Sequence, residues 1–225
     1  MSKKVLFALT SHDTLGSTGR RTGFYVPEVA HPAAVFREAG YEIAYVSVRG
    51  GAAPQDGARD DDAVVTAFLA DPETAEALAA TPTPGEVKAE EYDAIYFAGG
   101  HGTMWDFPES EELASLAASI YERGGAVAAV CHGPAGLINI KLSDGSHLVE
   151  GKQVSAFTNE EEAAVGLTGV VPFLLESTLA ERGAKITKTG NFAPHAVADQ
   201  RLVTGQNPAS AARVAELVVA ELAAR

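Results

Sequence analysis

Ala126-Val127-Ala128-Ala129-Val130-Cys131-His132-Gly133-Pro134-Ala135-Gly136-Leu137 is the stretch that decides how this chain is read. A run of small and β-branched residues is the mark of a strand covered on both faces. The Cys-His-Gly-Pro that ends it predicts a sharp turn into a helix with proline in its first turn. Such a turn lifts one side chain out of the sheet and into a cleft at the C-terminal strand ends, where open α/β folds bind ligands. The side chain lifted here is Cys131, the chain's single cysteine. A lone cysteine is commonly a small, inert hydrophobe of the core. At a strand end, beside a histidine and at the positive end of a helix, it is expected to favour the thiolate and act as a nucleophile.

The same alternation extends outward. Val5 to Leu9 is continuously apolar, Pro27 to Ala39 reads as an amphipathic helix stopped by Gly40, and Tyr41 to Val48 as the next strand. Tyr92 to Ala98 is a further buried strand, with a helix after it that Ser110 caps and Gly124-Gly125 ends near Arg123. Beyond Cys131 come a strand at Gln153 to Phe157 and helices from near Thr158 and from about Pro172 to Arg182. A strand at Lys185 to Lys188, a hairpin-like return at Val197 to Val203 and a helix opened by Asn207-Pro208 complete the chain. Repeated βα units predict one domain over 1–225, a three-layer, flavodoxin-like α/β/α sandwich with a mostly parallel sheet and a nucleophile elbow at Cys131. Arg49 to Pro84 reads as a less regular insertion or edge region with a short helix about Asp62 to Leu69. Its Asp60-Asp61-Asp62 run suits a solvated helix start better than a metal site.

With 46% hydrophobic and 21% charged residues the chain can bury a sizeable core. A formal net charge of -13 repels phosphate backbones and anionic lipid surfaces, so neither nucleic acid nor a membrane is an expected partner. The apolar stretch after Met1-Ser2-Lys3-Lys4 closes at Ser11-His12-Asp13, too soon for a signal peptide, and no segment approaches a membrane span. One cysteine makes no internal disulfide, which agrees with a reducing cytoplasm.

Gly99-Gly100-His101-Gly102 lacks the length and spacing of a dinucleotide fingerprint. Consecutive glycines there suit either an ordinary tight turn or an oxyanion hole of backbone amides, joined by the amide of His132. Glu28 falls near the start of a predicted helix, where a carboxylate complements the dipole. Most of Glu160-Glu161-Glu162 is expected to face water, with one of the three free to turn inward and orient His132. His12, His31, His101, His147 and His195 show no spacing that sets two ligands on one helical face, so no metal is expected. Surface or packing roles suit His12, His147 and His195, whereas His31 and His101 flank the glutamate and glycine elements. Trp105, Phe24 and Tyr25 are candidate pocket walls.

Phe97-Ala98-Gly99-Gly100-His101-Gly102, Ala129-Val130-Cys131-His132-Gly133-Pro134 and Leu202-Val203-Thr204-Gly205-Gln206-Asn207-Pro208-Ala209-Ser210 together resemble the ThiJ/PfpI superfamily of class I glutamine-amidotransferase-like proteins. Leu9-Thr10-Ser11, Thr22-Gly23, Pro27-Glu28 through His31-Pro32, Gly100-His101-Gly102-Thr103 and Phe157-Thr158-Asn159 leading to Glu162 narrow the likeness to its cofactor-independent glyoxalase III group. That group overlaps with heat-shock chaperones and reported deglycases. The resemblance implies Cys131 as nucleophile, His132 as its partner, Glu162 as the acid on His132, chosen by register over Glu160 and Glu161, and Glu28 as a carboxyl beside the thiol. It also implies a homodimer. Class I amidotransferases complete their triad with a late His-x-Glu pair, and His195-Ala196-Val197 has no such acid, which disfavours glutamine hydrolysis. The expected activity is glutathione-independent conversion of methylglyoxal or glyoxal to a 2-hydroxy acid through a Cys131 hemithioacetal held against the Gly99-Gly100 amides, with no cofactor. A cysteine peptidase, amidase or deglycase, a holdase chaperone and a redox-responsive thiol are the alternatives.

Overall fold

Side chains of a strand alternate between faces, so a continuously apolar strand must be covered twice. In chain order the elements are β1 (Lys4–Leu9), β2 (Phe24–Tyr25), α1 (Pro27–Glu38), β3 (Glu42–Ser47), β4 (Gln55–Asp56), α2 (Ala63–Ala70), α3 (Pro72–Ala79), β5 (Ala94–Phe97), α4 (Thr103–Asp106), α5 (Glu111–Glu122), β6 (Ala126–Val130), β7 (Gln153–Val154), α6 (Asn159–Ala164), α7 (Leu175–Glu181), β8 (Lys185–Ile186), β9 (Ala196–Asp199), β10 (Leu202–Gly205) and α8 (Ala211–Ala223). The computed structural model describes residues 2–58 and 61–224. One sheet runs β3-β1-β5-β6-β10-β9, parallel throughout except for β9 against β10.

The alternation divides the core in two. Val5, Phe7 and Leu9 of β1 and Ala126, Ala128 and Val130 of β6 face α1 and α8, which bring Val29, Ala33 and Phe36, and Val214, Val218 and Leu222. Leu6, Ala8, Val127 and Ala129 point the other way, onto Leu113, Leu116 and Ile120 of α5 and Leu175 and Leu179 of α7. The expected hairpin is present: Gln200 and Arg201, at φ 51 and 69, turn β9 into β10 with both central residues left-handed. Ser110 caps α5 by accepting from the Leu113 amide.

Several boundaries differ from the sequence reading. The 49–84 region is more regular than expected, because Asp62 caps α2 through the Val64 and Val65 amides and Asp71-Pro72 starts α3 with proline in its first turn. Asp60 lies outside the described residues. The strand expected at Gln153 to Phe157 ends at Val154 and pairs with β8 outside the main sheet, since Ser155 turns its amide to the Thr204 hydroxyl and Phe157 to the Cys131 carbonyl. The helix expected from about Pro172 begins at Leu175.

At the end of β6 the chain turns on Cys131, which holds φ 58, a left-handed conformation costly to any residue with a β-carbon. Hydrogen bonds on both sides fix it there: its amide donates to the Gly205 carbonyl at 2.9 Å, and its own carbonyl accepts from Phe157 at 2.8 Å. The turn needs glycine at 133, where a Cβ would sit 2.2 Å from the Phe97 carbonyl oxygen. In place of the expected helix the chain makes a single 3-10 turn, Gly133–Leu137. Gly136 packs so close to the Phe97 ring that a Cβ would lie 2.5 Å from two of its carbons, and the chain then bends to bridge Lys141 with His147. Without a full helix, the dipole invoked for the thiolate is missing.

Candidate active site

Strand ends and the connections after them bring Glu28, Gly99 to His101, Cys131, His132 and Glu162 together. Cys131 Sγ lies 3.3 Å from His132 Nδ1, and His132 Nε2 lies 2.8 Å from Glu162 Oε2. His101 Nε2 meets the other oxygen, Oε1, at 3.0 Å. The two imidazoles stand 4.0 Å apart between centroids, and Phe157 packs on His132 at 4.4 Å. His132 and Glu162 are buried, and the His101 side chain is 21% exposed.

The Thr158-x-x-Glu161 capping box sorts the glutamate run. Glu161 Oε2 accepts from the Thr158 amide and hydroxyl, while its Oε1 takes the Phe192 amide, the Gln206 amide group and the Asn207 amide group. That carboxyl is saturated by structure. Glu160 is exposed and pairs with Lys188. Glu162, one residue on, turns toward His132. The expectation that most of the run faces water is therefore corrected: two of the three are buried, because the chain at Phe192 and at Gln206-Asn207 closes over Glu161 while His101 and His132 close over Glu162.

Electrostatics assigns the protons. Burial raises the Glu162 carboxyl, but the hydrogen bonds from His101 and His132 outweigh it and hold it down to about 2. An ionised carboxylate only accepts, so both Nε2 atoms donate to it. Burial, with His101 adding to it, lowers His132 to about 4 against the pull of Glu162, leaving a neutral imidazole whose bare Nδ1 faces the thiol. The thiol itself is pushed well up by burial and then by Glu28. The resting state is thus a thiol with a ready base, a correction to the expected thiolate. Among the described residues, His101, His132 and Glu162 are also the one group whose donor atoms could gather about a cation, all lying within 4.8 Å. Both N–O contacts are hydrogen-bond lengths, so the group is satisfied by its own protons.

Glu28 is fully buried at the start of α1, against the Cys131 thiol and the Gly99 amide, with neither oxygen in a well-formed hydrogen bond. The close approach requires Gly99, where a Cβ would lie 2.2 Å from Glu28 Oε2. Burial raises this carboxyl from 4.5 to about 8, the contacts with Cys131 and Gly99 opposing. The folded protein therefore holds a proton that the unfolded chain releases above pH 4.5, and stability falls as pH rises from 4.5 through 8. Glu28→Gln removes that penalty. Its melting temperature is expected to exceed the wild type's by a margin that grows over this window, equivalent to about 5 kcal/mol at full ionisation. Thermal melts at pH 5 and pH 8.5 check this; equal margins at both ends would contradict it.

The oxyanion expectation narrows. The Gly99 amide is turned to Glu28 and the His132 amide to the Cys131 sulfur, leaving the Gly100 amide, which has no acceptor among the described residues. Trp105 stacks on His12 at 5.0 Å instead of joining the Cys-His-Glu set. Phe24 is buried in the core, and Tyr25 lines a separate surface cavity with Pro27, His31, Asp62 and Pro208. His31 pairs with Asp62 at 2.8 Å, and His195 bonds the Thr187 hydroxyl. Sequence reasoning missed the His101–Glu162 bond, which joins residues too far apart for any periodicity to register. It also missed the structural duty of Glu161, although the capping-box spacing announces it.

The DJ-1/PfpI family model matches residues 22–221, and the chain belongs to that family. It is 37% identical to the glutathione-independent glyoxalase HSP31 of Saccharomyces cerevisiae, over 93% of each chain. It is 36% identical to glyoxalase 3 of Candida albicans, over 96% of this chain and 97% of that one. Among solved structures, the 24 kDa rapid encystment protein of Francisella tularensis superposes with a TM-score of 0.94 at 39% identity, covering 98% of this chain and 99% of that chain. Glyoxalase III of C. albicans superposes at 0.89 and 33% identity, over 97% of each.

Proposed function

We propose that this protein is a glutathione- and cofactor-independent glyoxalase that converts methylglyoxal or glyoxal to the corresponding 2-hydroxy acid at Cys131. The observation that carries the reading is the thiol held at a strained elbow, with a neutral imidazole at 3.3 Å on one side and a protonated buried carboxyl on the other. That is a nucleophile with a base to receive its proton and an acid to meet a carbonyl oxygen. The likeness to glyoxalases over nearly the whole chain supports it.

His132 Nδ1 takes the thiol proton as sulfur adds to the aldehyde carbon, and Glu162 stabilises the imidazolium. The hemithioacetal oxygen forms against the Gly100 amide and takes that proton back from His132, giving a hydroxyl and a neutral imidazole. A hydrogen then moves from the sulfur-bearing carbon to its neighbour through an enediol, giving a thioester that water cleaves to the acid and free thiol. One carbon is oxidised as the next is reduced, so the reaction itself supplies its redox balance. A free thiol without a disulfide partner suits a reducing compartment such as the cytoplasm. No helix among the described residues is long and apolar enough to cross a membrane.

Purified protein mixed with methylglyoxal, without glutathione or added cofactor, is expected to form lactate, identified by NMR. Dicarbonyl loss without lactate, or new amino termini from a peptide substrate, would replace this reading with deglycation or peptide hydrolysis. A holdase needs exposed apolar surface, and Val165 and Phe192 are the exposed large hydrophobics among the described residues.

A further inference from the structure

The glyoxalase reading requires two proton jobs: one at the thiol, one at carbon. His132 Nδ1 is engaged by the thiol, and Glu28 keeps its proton up to about pH 8, so neither is free to take the carbon-bound hydrogen. A third group stands in place. His101 and His132 each give Nε2 to one oxygen of the same carboxylate, at 3.0 and 2.8 Å, with their rings 4.0 Å apart. Paired bonds to one ionised acceptor turn the Nε2 hydrogens of both rings to Glu162, so the singly protonated form of His101 offers a bare Nδ1 as His132 does. That nitrogen makes no hydrogen bond among the described residues. The His101 side chain is 21% exposed against 1% for His132, which puts it on the solvent side of the cleft, and Phe157 walls both rings.

We infer that His101 is a second catalytic base of this site: its Nδ1 removes the hydrogen from the sulfur-bearing carbon and returns a proton to the neighbouring carbon, while His132 serves the thiol. The inference rests on the glyoxalase reading. As the C–H bond breaks, its electron pair forms the carbon–carbon double bond of the enediol, and the ketone oxygen takes the Glu28 proton. The hydroxyl on the sulfur-bearing carbon then returns a proton to Glu28 as the thioester carbonyl forms, and His101 protonates the adjacent carbon and ends neutral. No outside oxidant or reductant enters. Because His101 meets solvent, the proton it holds exchanges before it is returned.

The test uses the full protein. His101→Gln keeps a donor for Glu162 but has no basic nitrogen. Its kcat is expected to fall by about 10²-fold or more with little change in KM. Alkylation of Cys131 by iodoacetamide should stay within about threefold of the wild-type rate, because His132 keeps its bond to Glu162 and its bare Nδ1 toward the thiol. Lactate made by the wild type in D2O should carry deuterium at C2. In a second variant, His101→Ala, turnover should rise with added imidazole. A kcat for His101→Gln within about threefold of wild type overturns the inference. So does an alkylation rate that falls in step with kcat, since His101 would then only support His132, and so does complete retention of the substrate's hydrogen in D2O. If His101→Gln does not fold, His101→Ala decides, and indifference to imidazole overturns the assignment. A wild type that forms no lactate defeats the glyoxalase reading and this assignment with it, an outcome separate from wild-type turnover that survives loss of His101.

Discussion

Cys131→Ala should lose about 10⁴-fold or more in lactate formation, because covalent addition is the step that all later chemistry depends on. The comparison is fair structurally. Alanine at φ 58 carries the same backbone strain that cysteine does, and the exchange removes one sulfur from a core that Phe157 and Tyr96 share, so the fold should tolerate it. Product should be quantified by NMR over hours so that a residue of activity is visible. Turnover of Cys131→Ala at one part in about 100 of wild type would mean that Glu28 and the imidazoles isomerise the dicarbonyl without a covalent bond, and the thiol would lose its role as nucleophile.

Glu162→Gln is expected to cost nearly as much, about 10³- to 10⁴-fold in kcat, without any change in side-chain shape. The wild-type carboxylate accepts from two Nε2 atoms at once. An amide presents one oxygen and one N–H₂ group, so one imidazole must face a donor and flip its proton to Nδ1. If that ring is His132, the thiol loses its base; if it is His101, the second base is lost. Turnover at the wild-type rate in Glu162→Gln would show that neither tautomer matters. The same substitution has a signature in stability. Glu162 is held down to about 2 in the folded state against 4.5 in the unfolded chain, a depressed carboxylate whose stabilisation is full above pH 4.5 and lost as pH falls through 2. His132, lowered to about 4 from 6.5, adds a loss of its own as pH falls from 6.5 through 4. Between pH 6.5 and 4.5 the opposite trend of Glu28 offsets the His132 loss, so acid denaturation of the wild type should fall mainly below pH 4.5, and Glu162→Gln should lack most of it; thermal melts between pH 6.5 and pH 2 check this.

The sheet was legible because its strands are apolar on both faces: β1, β5 and β6 carry hardly a polar residue, and each lies within a residue or two of its expected bounds. The caps at Ser110 and Asp62 were legible because a short polar side chain before an apolar run has a local mechanism. Asp71-Pro72 is the same kind of signal, hidden among alanines that carry little amphipathic contrast. Position along the chain told much less about charge. By position alone Glu28 reads as a carboxylate complementing a helix dipole, and only the family resemblance sets it beside the thiol; it is buried because the glycine at 99 leaves it room, and no local pattern reveals what lies across the sheet. The thiol is raised first by its own burial and then by Glu28 beside it, which is why a helix dipole alone gives the wrong sign. His101 and Glu162 meet only because β5 and β6 are neighbours and the chain after β7 returns over their ends.

The site is drawn from four connections: the start of α1, the turn after β5, the elbow after β6 and the first turn of α6. The parallel neighbours in the sheet are joined through long crossovers, whose closure entropy is met before their contacts repay it. A refolding chain can show native helix content, and even a packed core on one face of the sheet, well before Glu162 arrives beneath the two imidazoles. Recovery of turnover is thus a clock for the last act of assembly, one that ordinary spectroscopic probes of this protein would run ahead of.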